Sequence, residues 1–112
     1  MTTPLHQRTC APLPKGTPAL TTSELAPLLA QLPDWRIAEG WLERRFGFTD
    51  FDATMAFVNA VAMIANAQDH HPDMAVRWGD CTLRWQTHSV AGLSLNDFIC
   101  AARVDRIPAK SA

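Results

Sequence analysis

No glycine or proline interrupts the chain between Thr49 and His71, and the apolar residues of that stretch recur at helical spacing. Phe51, Met55, Val58, Ala62 and Ala65 form one stripe, and Phe57, Val61 and Ile64 form an adjoining one. Thr49 or Asp50 supplies an N-cap, and the helix is expected to run to about Gln68, because Pro72 forbids its continuation. The chain has 112 residues, enough for one modest core. A helix with so wide an apolar face must then lie across a sheet and touch a second helix, or bury part of itself against another subunit.

The flanking segments supply the sheet. Trp35-Arg36-Ile37 and the run from Trp41 to Phe48, separated by Glu39-Gly40, read as a hairpin in which Leu42, Arg44, Phe46 and Phe48 alternate with other side chains. Met74 to Trp78 and Cys81 to Thr87, split by Gly79-Asp80, read as a second hairpin. In its return strand Leu83, Trp85 and Thr87 face one way while Thr82, Arg84, Gln86 and His88 face the other. Thr21-Thr22-Ser23-Glu24 opens a short helix ending at Leu32-Pro33, and Ser94 with Asp97 at N3 opens a last one. The order helix, hairpin, helix, hairpin, helix predicts an α+β fold: a four-stranded antiparallel sheet with three helices on one face. Pro4, Pro12, Pro14 and Pro18 make residues 1–20 an extended arm, residues 21–108 the single domain and residues 109–112 a tail.

Composition narrows the function classes. Ten Lys and Arg against eleven Asp and Glu leave a net charge of −1, so nothing draws the chain to nucleic acid or anionic lipid. The longest apolar run, Ala60 to Ala65, is far below a membrane span, and the N-terminal residues show no secretory pattern. A cytoplasmic location is expected. Cys10, Cys81 and Cys100 are odd in number and match no zinc spacing, which fits free thiols.

Three of the four histidines fall in one region, His70-His71 at the end of the long helix and His88 at the end of the last strand. Imidazoles titrate near neutrality, so three of them converging at element ends suit proton transfer. Pro72 fixes where the first two rings leave the backbone. Either His70 or His71 alone also reads as a partner of the helix dipole. A metal site from His70 or His71, His88 and Asp69 or Asp73 is a further alternative, although the spacing matches no zinc motif and proton transfer needs no metal. Arg44, Arg45, Arg77 and Arg84 read as a solvated sheet face or an anion site. Trp78, just beyond the His-His-Pro turn, is the tryptophan placed to stack on a planar ligand, with plain packing its other reading.

The run Asp69-His70-His71-Pro72, followed by Trp78, Thr87-His88, Ala91-Gly92-Leu93-Ser94 and Asp97, resembles the pterin-4a-carbinolamine dehydratases. Trp35 and the segment Phe46-x-Phe48-x-Asp50-Phe51 extend the resemblance from about Thr21 to Ile107. It implies a saddle-shaped α+β fold, assembled as a homodimer or a dimer of dimers. It also implies loss of water from a 4a-hydroxytetrahydropterin to the quinonoid dihydropterin, recycling tetrahydrobiopterin. By that resemblance His70 and His88 take the acid and base positions and His71 holds the substrate. Asn66, Asp69, Trp78 and Thr87 lie in the binding motif, the pterin is substrate, and neither metal nor organic cofactor is implied.

The chain departs from the family pattern at Asn66, where a glutamate is common. An amide there offers hydrogen bonds without charge. The resemblance also extends to dehydratase-like proteins of autotrophic bacteria and plastids that act as assembly factors for Rubisco rather than as enzymes. Asn66 and the Cys- and Pro-containing arm fit that alternative, in which Rubisco is the partner.

Overall fold

Each helix begins where a side chain meets its first free amides. The Thr21 hydroxyl accepts the Glu24 amide while the Glu24 carboxylate accepts the Thr21 amide at 2.9 Å, starting α1 (Thr22–Leu29). The Asp50 carboxylate accepts the Ala53 amide at 2.8 Å and starts α2 (Phe51–Gln68). The Asp97 carboxylate takes the Ser94 amide at 2.9 Å and starts α3 (Leu95–Val104). The computed structural model describes residues 3–108. The predicted tail at 109–112 lies outside them.

The strands are β1 (Arg36–Ala38), β2 (Trp41–Gly47), β3 (Asp73–Arg77) and β4 (Asp80–Trp85), in the antiparallel order β1-β2-β4-β3. Glu39 and Gly40 both have positive φ, the geometry of a two-residue hairpin loop whose twist matches its strands. The second hairpin turns at Trp78-Gly79, one residue earlier than the spacing predicts, and Asp80 already belongs to β4. The tip is pinned there: the Gly79 carbonyl accepts the Phe48 amide at 2.8 Å and the Trp78 carbonyl accepts the Thr54 hydroxyl at 2.9 Å.

The predicted α+β architecture is the one observed. One sheet face carries the fully buried Leu42, Cys81, Leu83 and Trp85, which join Phe57 and Val61 of α2 and Phe98, Ile99 and Ala101 of α3 in one core. Leu25, Leu28 and Leu29 of α1 pack against the same cluster. The other face is charged. Cross-strand register aligns Arg36, Glu43, Arg84 and Asp73 in a single row of alternating sign, and Arg36 reaches Glu43 at 2.8 Å.

The residues of α2 that are buried are Thr54, Phe57, Val61 and Ala65, while Phe51 and Met63 stay exposed. The inward face therefore takes Phe57 and Val61 from the second predicted stripe and Ala65 from the first. It includes a threonine because the hydroxyl of Thr54 is spent on the backbone carbonyls of Asp50 and Trp78. Helix α1 stops at Leu29, short of the predicted end, and contains Pro27. No helix among the described residues is long and apolar enough to cross a membrane.

The arm departs from a simple extended segment. Leu5–Gln7 form a 3₁₀ turn packed on α3, with Leu5 buried. Arg103 of α3 donates to the Arg8 carbonyl at 2.9 Å, and Asn96 exchanges hydrogen bonds with the backbone of Ala11. Four prolines limit backbone hydrogen bonding within the arm to single turns at Pro4–Arg8 and Pro14–Thr17, and side chains of the domain satisfy backbone groups of Arg8, Cys10 and Ala11.

Candidate active site

Helix α2 ends in a way that directs two histidines. The amides of Asp69 and His70 return to the carbonyls of Asn66 and Ala65, and Asp69 takes the left-handed conformation at φ 51°. This is a Schellman ending with aspartate in the place usually given to glycine. Pro72 then sends the chain into β3. His70 turns inward from this corner and His71 outward, so the two adjacent rings have different surroundings.

His70 is largely buried. Its ring stacks on that of fully buried Trp85, with centroids 5.6 Å apart and planes within 16°. Its Nε2 lies 2.6 Å from Oδ1 of Asp97. Asp97 has no exposed surface, and its other oxygen accepts the Thr87 hydroxyl at 2.8 Å and the Ser94 amide. The Thr87 and Ser94 hydroxyls are themselves 2.8 Å apart. One buried carboxylate thus joins the end of α2, the end of β4 and the start of α3. Burial disfavours the charged form of His70, but the hydrogen bond and negative charge of Asp97 outweigh it and raise the ring's pKa above the usual histidine value. With Nε2 on this anchor, Nδ1 lies on the opposite side of the ring.

His71 is exposed, and its Nε2 lies 3.0 Å from Oδ1 of Asn66, one turn back on α2. The Asn66 amide therefore serves His71, while His70 has its own carboxylate in Asp97. His88 is exposed on a short 3₁₀ turn (His88–Val90) that is closed by backbone pairing of Thr87 with Gly92. The ring stands edge-on to Trp41 at 6.3 Å. Because Asp73 pairs with Arg84, extending the register past β3 brings His70-His71 alongside Gln86-Thr87. His70, His71, Asn66, Asp69, Thr87 and His88 thus gather at one end of the sheet.

Trp78 is not brought there, which corrects the expectation that it borders the histidines. It lies five strand residues beyond Asp73, roughly 16 Å along β3. Its carbonyl is tied to Thr54 near the start of α2, about 24 Å along the helix from His70. Asp97 is the residue that sequence reasoning placed as a helix cap and in the resembling motif but gave no role in the site. The signal that could have found it is a buried-position carboxylate ten residues after Thr87, but the cap alone accounts for an acidic residue at N3. Among the described residues no three His, Cys, Asp or Glu side chains converge to hold a metal ion.

Comparison with known proteins bears on the family and the fold. The family model for pterin 4 alpha carbinolamine dehydratase matches residues 18–107. A protein of Nitrosomonas eutropha with the provisional name pterin-4-alpha-carbinolamine dehydratase is 46% identical over 104 residues, covering 92% of each chain. One of Stenotrophomonas maltophilia with the same provisional name is 48% identical over 106 residues, 93% of this chain and 91% of that one. The crystal structure of a transcriptional coactivator/pterin dehydratase from Brucella melitensis superposes with a TM-score of 0.74 at 28% identity, over 78% of this chain and 95% of the other. A pterin dehydratase-like protein identified as a RuBisCO assembly factor in the alpha-carboxysome shares the fold, with a TM-score of 0.58 at 24% identity over 70% and 93% of the two chains. The chain belongs to the pterin-4-alpha-carbinolamine dehydratase family.

Proposed function

We propose that this protein dehydrates 4a-hydroxytetrahydropterin to the quinonoid dihydropterin by histidine acid/base catalysis. Hydroxide is a poor leaving group, so the step needs an acid at the 4a-oxygen and a base for a proton of the pterin ring. The observation that carries the reading is the His70–Asp97 pair. A buried carboxylate on Nε2 orients the imidazole, favours its protonated form and leaves Nδ1–H to donate to the departing oxygen. His88 on the exposed turn is the base, and His71, steadied by Asn66, holds the substrate, with Asp69 beside it. Thr87 acts through its hydroxyl on Asp97, so it positions His70. Trp78 has no part in this arrangement.

The test is a dehydration assay on freshly generated 4a-hydroxytetrahydropterin with the wild type, His70→Ala and His88→Ala. Each substitution should lower the rate by roughly 10²- to 10⁴-fold, as expected for a lost general acid or base, with the fold retained by circular dichroism. Wild-type turnover no faster than the uncatalysed reaction would overturn the proposal. The likeness to the RuBisCO assembly factor carries the fold alone, and an assembly role then becomes the reading to pursue, by pull-down with Rubisco subunits.

A further inference from the structure

The sulfur atoms of Cys10 and Cys100 lie 3.5 Å apart although 90 positions separate them in the chain. Cys100 is fully buried in α3, whereas Cys10 on the arm is only partly buried. The arm is held in place at this point by several independent bonds. The Cys10 amide donates to Gln68 at the end of α2 at 2.8 Å, and the Ala11 amide donates to the Asn96 side chain at 3.1 Å. The Cys10 thiol also reaches the Asn96 carbonyl. Two thiols, one accessible and one directly behind it, have the arrangement of an attacking and a resolving cysteine. Closing the gap to a bond of about 2.05 Å takes a movement of roughly 1.5 Å. The arm has no regular secondary structure at Cys10, so it can make that movement without disturbing α3.

We propose that Cys10 and Cys100 form a reversible dithiol/disulfide pair, oxidised by a peroxide, that clamps the N-terminal arm covalently to α3. The step balances as follows. The Cys10 thiolate attacks one peroxide oxygen, the O–O bond breaks, and the released hydroxide takes up the proton that the Cys10 thiol gave up and leaves as water, giving a sulfenic acid. The Cys100 sulfur then attacks Cys10, the S–S bond forms, the S–OH bond breaks, and the Cys100 proton departs with the hydroxide as a second water. Two electrons pass from the two thiols to the peroxide. Local electrostatics favour this order. The hydrogen bond from Cys100, assisted by the charges of His70 and Arg103, holds the Cys10 thiol below its ordinary value despite burial, while the same contact and burial push Cys100 up. Asp97 stands one turn before Cys100 on α3, so the clamp fastens the arm to the helix that carries the partner of His70.

The experiment treats the reduced full chain with hydrogen peroxide and follows intact mass, free thiols and a non-reducing peptide map. The expected result is a loss of two hydrogen atoms and a single peptide linking Cys10 to Cys100, reversed by dithiothreitol. It forms equally in Cys81→Ser and is absent in Cys10→Ser and Cys100→Ser. After tryptic nicking at exposed Lys15, the N-terminal fragment of the oxidised protein stays attached until reductant is added. Accumulation of sulfinic acid on Cys10 with Cys100 still a thiol, or a crosslink through Cys81 or between two molecules, would overturn the proposal.

Discussion

His70 and Asp97 meet at 2.6 Å between the end of one helix and the first turn of another, and the carboxylate of that pair has no exposed surface. Its oxygens also cap α3 and bind Thr87, so a single side chain holds together a helix start, a strand end and an imidazole. Asp97→Asn keeps the shape and removes the charge. Because the folded-state value of His70 is raised above its unfolded value near 6.5, the pair contributes stability fully below that pH and loses it as pH rises through the folded value. The stability gap between wild type and Asp97→Asn, measured by urea unfolding, should therefore be larger at pH 5.5 than at pH 8.5. A pH-independent loss of about 1 kcal/mol from the weakened cap remains throughout. In the dehydration assay, the decline in rate on the alkaline side should move to lower pH in the variant.

Asp69 separates folding from binding. It occupies left-handed backbone at φ 51°, where glycine carries no Cβ strain. Asp69→Gly should leave stability unchanged or raise it by up to about 1 kcal/mol. The same change removes a carboxylate beside the His70-His71 corner, so KM for the pterin should rise while the melting temperature does not fall.

Asn66 tests how much charge the site needs. Its amide oxygen is 3.0 Å from His71 on an exposed surface. Asn66→Glu places a carboxylate there, which can accept charge-assisted hydrogen bonds from ring nitrogens of the substrate. KM should fall by roughly tenfold, the equivalent of one such bond, with kcat within about twofold of wild type. Steady-state kinetics of the two proteins side by side provide the check.

Trp78 lies at the far end of the second hairpin, 65% exposed. Trp78→Ala should leave both kcat and KM of dehydration unchanged within about twofold. A large rise in KM would show that the distance along β3 is misleading and that this indole reaches the pterin.

Gly92 is a packing requirement. A Cβ at this position would stand 2.9 Å from that of Ala19, and the next carbonyl, of Leu93, accepts the Leu20 amide at 2.9 Å. Gly92→Ala must push the chain leading into α1 away from the turn that carries His88. Chemical denaturation should show a loss of about 1–3 kcal/mol, the range for overpacking.

Features settled among neighbouring residues are legible along the chain. Thr21 with Glu24, Asp50, and Ser94 with Asp97 announce three helix starts, and Pro72 enforces the end of α2, because caps and steric blocks act within one turn. Alternation in Leu83, Trp85 and Thr87 marked the buried sheet face for the same reason, and the clustering of His70, His71 and His88 pointed to the candidate site. The tertiary structure decided which groups share a partner. Asp97 looked complete as a cap, and only the convergence of α2, β4 and α3 gives its second oxygen to His70. Trp78 is close to His71 in sequence, yet a strand carries its residues apart at about 3.3 Å each. Cys10 and Cys100 meet only because Leu5 and the domain's side chains fold the arm back onto α3. Such contacts depend on three-dimensional closure, for which a linear pattern of residues holds no period.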